Sequence, residues 1–452
     1  MYRQYSASSE ESQSPKLCGC PNDCNCEEKT APPKQKKSVT MSEDVPPDKT
    51  KNGPTTQVPV IGKAADIDIQ TIVNDNLEAL LQKSMGTEAK LTSIDLKLFK
   101  PGSESQIPVA TAFLHWTGSH GDGSHVSRVV IKLPCQKDYI NDEEDRSTLA
   151  ARSHDSECNV YRLLSTKYGK PVIPIPKLYC SIKSSETGPN ILVMEDLSEV
   201  ATTPSLAEGL RSEQLHELFH AIADLHAYSL TCFTLKYQFS GADKERMELL
   251  HSTLDDIIQS CRQEFPDIFH FTDKEFEDYA NLEDLYAIKN PGDKADYTPV
   301  LVHGDLWTGN TLFERMTTQP TKTGNRLLAL IDWQGAHIGS PAEDMMNILC
   351  WSCDPYQRQR NGQHLLRRYF DRLTSKVQIV PFTFEDLEIQ CNRLLIVGAL
   401  KALTKIGNMI FFGDMKESTK PERRQLLLRA TTALTDAFNH RRMEVAGKKR
   451  RR

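Results

Sequence analysis

The chain has 452 residues, 38% hydrophobic and 26% charged, a balance that excludes collagen-like, membrane-spanning and wholly disordered chains, and a length that predicts one large or two coupled domains. Its formal charge of −6 is uneven: the last twelve residues hold Arg441, Arg442, Lys448, Lys449, Arg450, Arg451 and Arg452 against Glu444, a tail of +6 on a body of −12. An acidic body argues against a general nucleic-acid or anionic-membrane binder.

Residues 1–59 contain eight of the 24 prolines, one leucine (Leu17) and no Ile, Phe or Trp. Such a segment buries too little apolar area to offset its ordering entropy and is predicted to be a disordered tail. Within it Cys18, Cys20, Cys24 and Cys26 have the thiol density for a soft metal, or belong to an unstructured tail. The other eight cysteines are scattered, which predicts reduced, core-filling thiols and a reducing, cytoplasmic location. Met1–Glu10 lacks the apolar stretch of a signal peptide. With no run of 18 apolar residues, no membrane span is expected. The Lys448–Arg452 run is read as a solvated tail or a nuclear-import signal.

The globular part is predicted to start near Val60, with a helix over 66–83 (Ile69, Ile72, Val73, Leu77, Leu80, Leu81) stopped by Gly86. Three strand-like runs follow at 94–98, 107–116 and 126–133, the second with Ile107, Val109, Thr111 and Phe113 on one face. The gaps between them are rich in Gly, Ser, Pro and Asp, which reads as an antiparallel meander. A helix over 153–168 carries Glu157, Val160, Tyr161 and Leu164. Strands at 177–182 and 190–194 then lead into Glu195, Asp196 and Leu197. From an amphipathic helix at 212–230 onward the chain reads as mostly helical: 243–265, 273–288, 342–353, 361–374, 383–407 and 421–440. Short apolar strands interrupt it at 299–314 and 326–333. A five-stranded unit thus precedes a helical one, an α+β segregation. The implied division is a sheet-bearing lobe over 60–198, a helical lobe over 199–440, and a basic tail over 441–452. A crevice between the lobes is the expected ligand site.

Four features carry chemistry. Val302-His303-Gly304-Asp305-Leu306-Trp307-Thr308-Gly309-Asn310 reduces to H-x-D-x4-N between apolar runs. An apolar strand ends in Asp332, 27 residues after Asp305. Lys132 lies on the third strand, and Glu157 follows it by 25 residues on a helix. Phosphoryl transfer from a nucleoside triphosphate needs these residue types. Asn310 and Asp332 offer oxygens to hard Mg²⁺, Lys132 a charge for the α/β-phosphates, Glu157 an anchor for that lysine, and Asp305 an acceptor for a hydroxyl proton. His303 is read as orienting the loop, Asp344 as bracing it from a helix start, His226 as a core histidine, and Trp307 and Trp333 as packing residues.

VHGDLWTGN followed by IDWQGAHIGSPAED resembles the aminoglycoside phosphotransferase and choline kinase superfamily, and within it the CHK kinase-like group that includes the ecdysteroid kinase-like proteins. The resemblance covers about 66–440. It implies a two-lobed protein-kinase-like fold, with a small antiparallel-sheet lobe and a larger helical lobe, ATP with Mg as donor, and a small-molecule hydroxyl as acceptor. By that likeness Asp305 matches the catalytic aspartate, Asn310 and Asp332 the metal ligands, and Lys132 and Glu157 the nucleotide-lobe ion pair. Met194, Glu195 and Leu197 belong to the hinge whose backbone meets adenine. The phosphate flap departs from the pattern: Lys100–Ser105 holds one glycine, with Ser103 as the donor to phosphate and Glu104 as an unfavourable charge. Trp333 after the metal-binding acid, and the short step from Asp332 to the helix near Ala342, leave no room for a protein-kinase activation loop. A catalytically silent nucleotide-binding scaffold with a metal-binding Cys tail is the alternative reading.

Overall fold

The computed structural model describes residues 60–61, 75–98, 109–118, 124–132, 143–165, 172–183, 191–232, 234–290, 297–413 and 415–450. Ser103, the rest of the flap turn and the clustered cysteines lie outside the described residues.

A six-stranded sheet comes first: β1 (Val60–Ile61), β2 (Lys90–Leu98), β3 (Val109–Thr117), β4 (Ser124–Lys132), β5 (Leu178–Ile182) and β6 (Ile191–Glu195), in the order β1-β2-β3-β4-β6-β5. The expected meander is present, with β2–β3 and β3–β4 antiparallel, and β6 pairs with both β4 and β5. Short β1 adds a sixth, parallel strand beside β2. Helices α1 (Asp75–Met85) and α2 (Glu143–Leu164) accompany the sheet.

The core face of β3 is opposite to the expected one. Ala110, Ala112, Leu114 and Trp116 are fully buried, while Val109 and Phe113 are only half-buried. Alternation marks a strand but does not say which parity faces inward when both faces carry apolar side chains. Trp116 decides it, packing with Leu77 and Leu81 of α1 and with Leu91, Ile94, Val129 and Ile131 of the neighbouring strands. Leu192 and Met194 of β6 join Cys158, Tyr161 and Leu164 of α2 in a second core shared with the helical part.

That helical part holds α3 (Ser212–Thr231), α4 (Lys244–His251), α5 (Leu254–Glu264), α6 (Asp273–Tyr279), α7 (Leu282–Lys289), α8 (Ala342–Trp351), α9 (Pro355–Lys376), α10 (Phe384–Gly407) and α11 (Lys420–Arg450). The two long helices expected at 243–265 and 273–288 are each broken in two. At the second break the Asn281 side chain accepts from the N–H groups of Glu283 and Asp284 and starts a new helix. Helix α9 begins six residues earlier than the periodicity suggested, because Asp354 caps it and Pro355 takes its first position. Helix α11 does not stop at 440: residues 441–450 of the supposed tail continue it, and Arg442 pairs with Glu275 of α6.

Helix α10 is the one described helix long and apolar enough to cross a membrane. Its apolar positions, including Leu394, Ile396, Ala399, Leu403 and Ile406, are buried in the core with α5, α8 and α11. At about 1.5–3 kcal/mol for each large buried side chain, this packing holds the helix at the centre of the lobe. Gly398 permits the contact with α8, where a Cβ would sit 3.0 Å from the Met346 carbonyl oxygen.

Five further strands interrupt the helices: β7 (Ala201–Thr202), β8 (Val300–Val302), β9 (Thr311–Met316), β10 (Gln319–Leu330) and β11 (His337–Gly339). Strands β9 and β10 form an irregular antiparallel hairpin with β7 on its edge, and β8 pairs with β11. A sheet-bearing lobe followed by a helix-rich lobe with these small ladders is a two-lobed, kinase-like α+β architecture.

Candidate active site

Strand β8 delivers His303, Gly304 and Asp305, and the β9–β10 ladder delivers Asn310 and Asp332 side by side. Register pairs Thr311 with Leu330, and the Ile331 N–H donates to the Asn310 carbonyl at 3.1 Å. The first loop is pinned from α8. Asp344, buried completely, accepts from the backbone N–H groups of His303 (2.7 Å) and Gly304 (2.9 Å). The buried His303 ring shares a 2.9 Å hydrogen bond with the Ile331 carbonyl and receives the Asp305 N–H at 3.3 Å. Burial lowers the His303 pKa although Asp344 opposes it, so this ring is a neutral strut. Gly304 has φ 75°, and a Cβ there would lie 2.1 Å from the Gly335 carbonyl oxygen. Only glycine allows the two loops to close on each other.

Lys132, at the end of β4, is buried. Its Nζ donates to Glu157 Oε1 (2.7 Å) and Oε2 (3.0 Å) and to Asp332 Oδ1 (2.8 Å). One ammonium thus joins side chains 25 and 200 residues away. Burial works against its charge, but Asp332 and Glu157 outweigh burial and raise its pKa above the ordinary lysine value. Glu157 also accepts from the Trp333 N–H at 3.3 Å, tying α2 to the turn after Asp332. Asp332 is the one non-glycine residue among those described with positive φ (66°, ψ 62°). Such a conformation costs on the order of 1–3 kcal/mol and persists where surrounding contacts impose it; here it turns the carboxylate toward Lys132.

Asp305 and Asn310 meet through the Asn310 Nδ2–H, which donates to the Asp305 carbonyl at 2.8 Å. The Asp305 carboxylate itself faces two cations that sequence reasoning missed. Lys401 Nζ lies 2.8 Å from Oδ1 and Lys405 Nζ 4.0 Å from Oδ2, both from α10. Lys401 also donates to the Gly304 carbonyl. Burial opposes the negative charge, yet the pull of Lys401 and Lys405 holds the carboxyl well below the usual carboxylate range. The available signal was a pair of lysines at i and i+4 in the mostly apolar second half of α10, which place both charges on one face.

The donor set suits a hard cation. Asp332 gives one oxygen to Lys132 and has a side chain 36% exposed. The amide N–H of Asn310 is committed to Asp305, which leaves its oxygen for a ligand. Among the described residues no three His, Cys, Asp or Glu side chains form a metal cage. A Mg²⁺ held by two protein oxygens together with phosphate oxygens matches this arrangement.

The segment expected to act as a hinge is more constrained than its sequence suggested. Met194 is buried and laddered to both Val130 and Leu178, and the Glu195 N–H is taken by the Lys177 carbonyl at 2.9 Å. Leu197 lies beyond the strand, where its carbonyl accepts from the N–H groups of Val200 and Ala201. Arg128 of β4 fastens the segment through Asp196 and Glu199, each at 2.8 Å. Trp307 stacks on Trp351 at 4.3 Å between ring centroids, and Trp333 is fully buried with its indole N–H on the Leu330 carbonyl. His226 is a core histidine: burial lowers its pKa to about 3 while Nδ1 meets the Tyr369 hydroxyl at 2.8 Å.

A family model described as "Uncharacterized oxidoreductase dhs-27" (DUF1679) matches residues 131–441, more than half of the chain. A Caenorhabditis elegans protein named "Uncharacterized oxidoreductase dhs-27" is 26% identical over 191 residues, which is 41% of this chain and 22% of that protein. Solved structures of similar shape include three phosphotransferases. An ethanolamine kinase of Plasmodium vivax is 11% identical with a TM-score of 0.40, covering 76% of this chain and 83% of its own. An ADP-bound aminoglycoside phosphotransferase, APH(2'')-Ib, is 16% identical with a TM-score of 0.39 and coverage of 80% and 99%. A macrolide 2'-phosphotransferase of Brachybacterium faecium is 16% identical with a TM-score of 0.34 and coverage of 79% and 98%.

Proposed function

The chain belongs to the family whose model is described as Uncharacterized oxidoreductase dhs-27 (DUF1679), and from the geometry of its site we propose that it transfers the γ-phosphate of ATP to a hydroxyl of a small molecule. The observation that carries this reading is the single ammonium of Lys132 held between Glu157 and Asp332, beside a pinned loop that presents Asp305. The oxidoreductase in the relative's name is said of a protein of which this chain matches 22%, and the lysine–carboxylate cluster favours phosphoryl transfer over it.

Each residue has a role that its surroundings support. Lys132 meets the α/β-phosphates, with Glu157 keeping the amine in place when Asp332 turns to a cation. Asn310 and Asp332 hold Mg²⁺, which when bound neutralises charge on the phosphate oxygens. Adenine is met by the backbone just beyond Glu195, toward Leu197. Asp305 orients the acceptor hydroxyl and takes its proton. A carboxylate of low basicity suffices, because phosphoryl transfer runs through a loose transition state in which positioning dominates. Placement within the CHK kinase-like group is part of this proposal, as is a sterol-like, choline-like or xenobiotic alcohol as acceptor.

The test measures Mg-ATP binding by thermal shift and γ-phosphate transfer across a panel of alcohols. Ligand at about 100 times its Kd stabilises a protein by about 2.7 kcal/mol. Absence of any Mg-dependent ATP binding sinks the reading. Binding without transfer to any alcohol replaces it with the silent-scaffold alternative.

A further inference from the structure

We infer that Lys401 is a positioning residue for Asp305: from α10 it locks one carboxylate oxygen and the loop carbonyl beside it, so that the other oxygen alone faces the acceptor. This rests on the phosphotransferase reading above.

The geometry distinguishes the two oxygens. Oδ1 is buried and lies 2.8 Å from Lys401 Nζ, whereas Oδ2 has Lys405 only at 4.0 Å. Lys401 is itself 14% exposed in its side chain and, besides this ion pair, donates a hydrogen bond to the Gly304 carbonyl, one residue before Asp305. Two ties from one ammonium fix both the loop backbone and the carboxylate rotamer, which leaves a single direction for a proton-accepting oxygen. Asp344 holds the loop through backbone N–H groups at 303 and 304, and Asn310 holds the Asp305 carbonyl.

The clamp arrives from a helix of the same lobe as the Asp305 loop. Helix α10 is packed among α5, α8 and α11 through its buried face, so the backbone that carries Lys401 is fixed by the helical core. The loop's own sequence provides no such cation: Leu306 and Trp307 follow Asp305, and Trp307 is committed to its stack with Trp351. A distant helix therefore supplies what the loop lacks. Positioning of this kind matters to rate because misplacing a reacting group by about 1 Å can cost roughly 10²-fold.

The experiment compares wild type with Lys401→Met, Lys401→Arg and Lys405→Gln. Mg-ATP affinity and single-turnover transfer to the best alcohol of the panel are measured for each. Lys401→Met is expected to lower the transfer rate roughly 10²-fold with Mg-ATP affinity retained, Lys401→Arg to restore part of the rate, and Lys405→Gln to have the smallest effect. A Lys401→Met enzyme as fast as wild type, or one whose whole loss lies in nucleotide affinity, overturns the inference. A second measurement stands apart from activity: the unfolding equilibria of Lys401→Met, Asp305→Asn and the double variant. The clamp requires the two changes to be non-additive by at least about twofold in the unfolding constant; additivity refutes it. If wild type transfers no phosphate, the phosphotransferase reading is what has failed, and this cycle alone decides the clamp. Should Lys401→Met not fold, Lys401→Gln takes its place in both arms.

Discussion

The two charged clusters of the site are mirror images. In one, a buried ammonium, Lys132, stands between two carboxylates. In the other, a carboxylate, Asp305, stands before two ammoniums. The first joins the sheet, α2 and the turn after β10; the second joins the loop after β8 to α10. A cation between two acids can give one of them up to a metal and meet phosphate itself. A carboxylate under two lysines stays ionised and fixed in direction. Under the phosphotransfer proposed above, the first cluster would handle the nucleotide and the second the acceptor.

The sharpest way to break this division is a pair of isosteric changes. Asp305→Asn is expected to lower the chemical step by roughly 10²–10⁴-fold, the loss typical of a missing general base, with Mg-ATP still bound and no rescue by added Mg²⁺. Asp332→Asn is expected to weaken productive metal–nucleotide binding and to recover in part at raised Mg²⁺. Single-turnover rates and nucleotide affinities across a Mg²⁺ titration separate them; equal loss of binding in both variants would remove the distinction.

Next in size is stability. Lys132→Met leaves Glu157 completely buried without its cation, and breaking a buried pair in this way costs about 3–5 kcal/mol. Adding Glu157→Leu removes the stranded charge and should recover much of that. Urea unfolding of the single and double variants checks both, and a stable single variant would mean that the cluster is not ionic.

The clusters should also fail at opposite ends of the pH scale. The Lys132 pKa is raised, so its contribution is fully present below the ordinary value of 10.5 and is lost as pH climbs beyond it. The Asp305 pKa is lowered, so its contribution is present above the ordinary 3.8 and is lost as pH falls below it. Unfolding followed against pH should show the alkaline limb flattened in Lys132→Met and the acid limb flattened in Asp305→Asn. The reverse assignment would contradict the stated charges.

The smallest effect belongs to the surface. Arg442→Ala removes a pair with Glu275 whose arginine side chain is 47% exposed. Up to about 1 kcal/mol is expected, shrinking further in high salt. A larger, salt-independent loss would show that the end of α11 anchors the lobe.

Much of this molecule was legible before its structure. Turn-rich gaps between short apolar runs marked the β2–β3–β4 meander, because clusters of Gly, Ser, Pro and Asp favour turns over continued ladders. Apolar periodicity over 383–407 marked α10, because side-chain spacing along a helix is a local property of the chain. The H-x-D-x4-N spacing put Asp305 and Asn310 in one loop for the same reason: short spacing limits where two side chains can go.

What the sequence determined by itself was local: element types, the loop that presents Asp305, and the residue types that suit phosphate chemistry. Tertiary structure alone decided which face of β3 is the core, since both faces carry apolar residues and the choice depends on what α1 brings against Trp116. It also showed that α11 runs past 440, where Arg442 meets Glu275 from 167 residues away in the chain. It also decided that Lys401 and Lys405 meet Asp305. Their positions on α10 follow from helical periodicity, but their partner follows from how α10 packs at the centre of the lobe. A contact between groups nearly a hundred residues apart depends on the shapes of every surface between them, and no local rule encodes that.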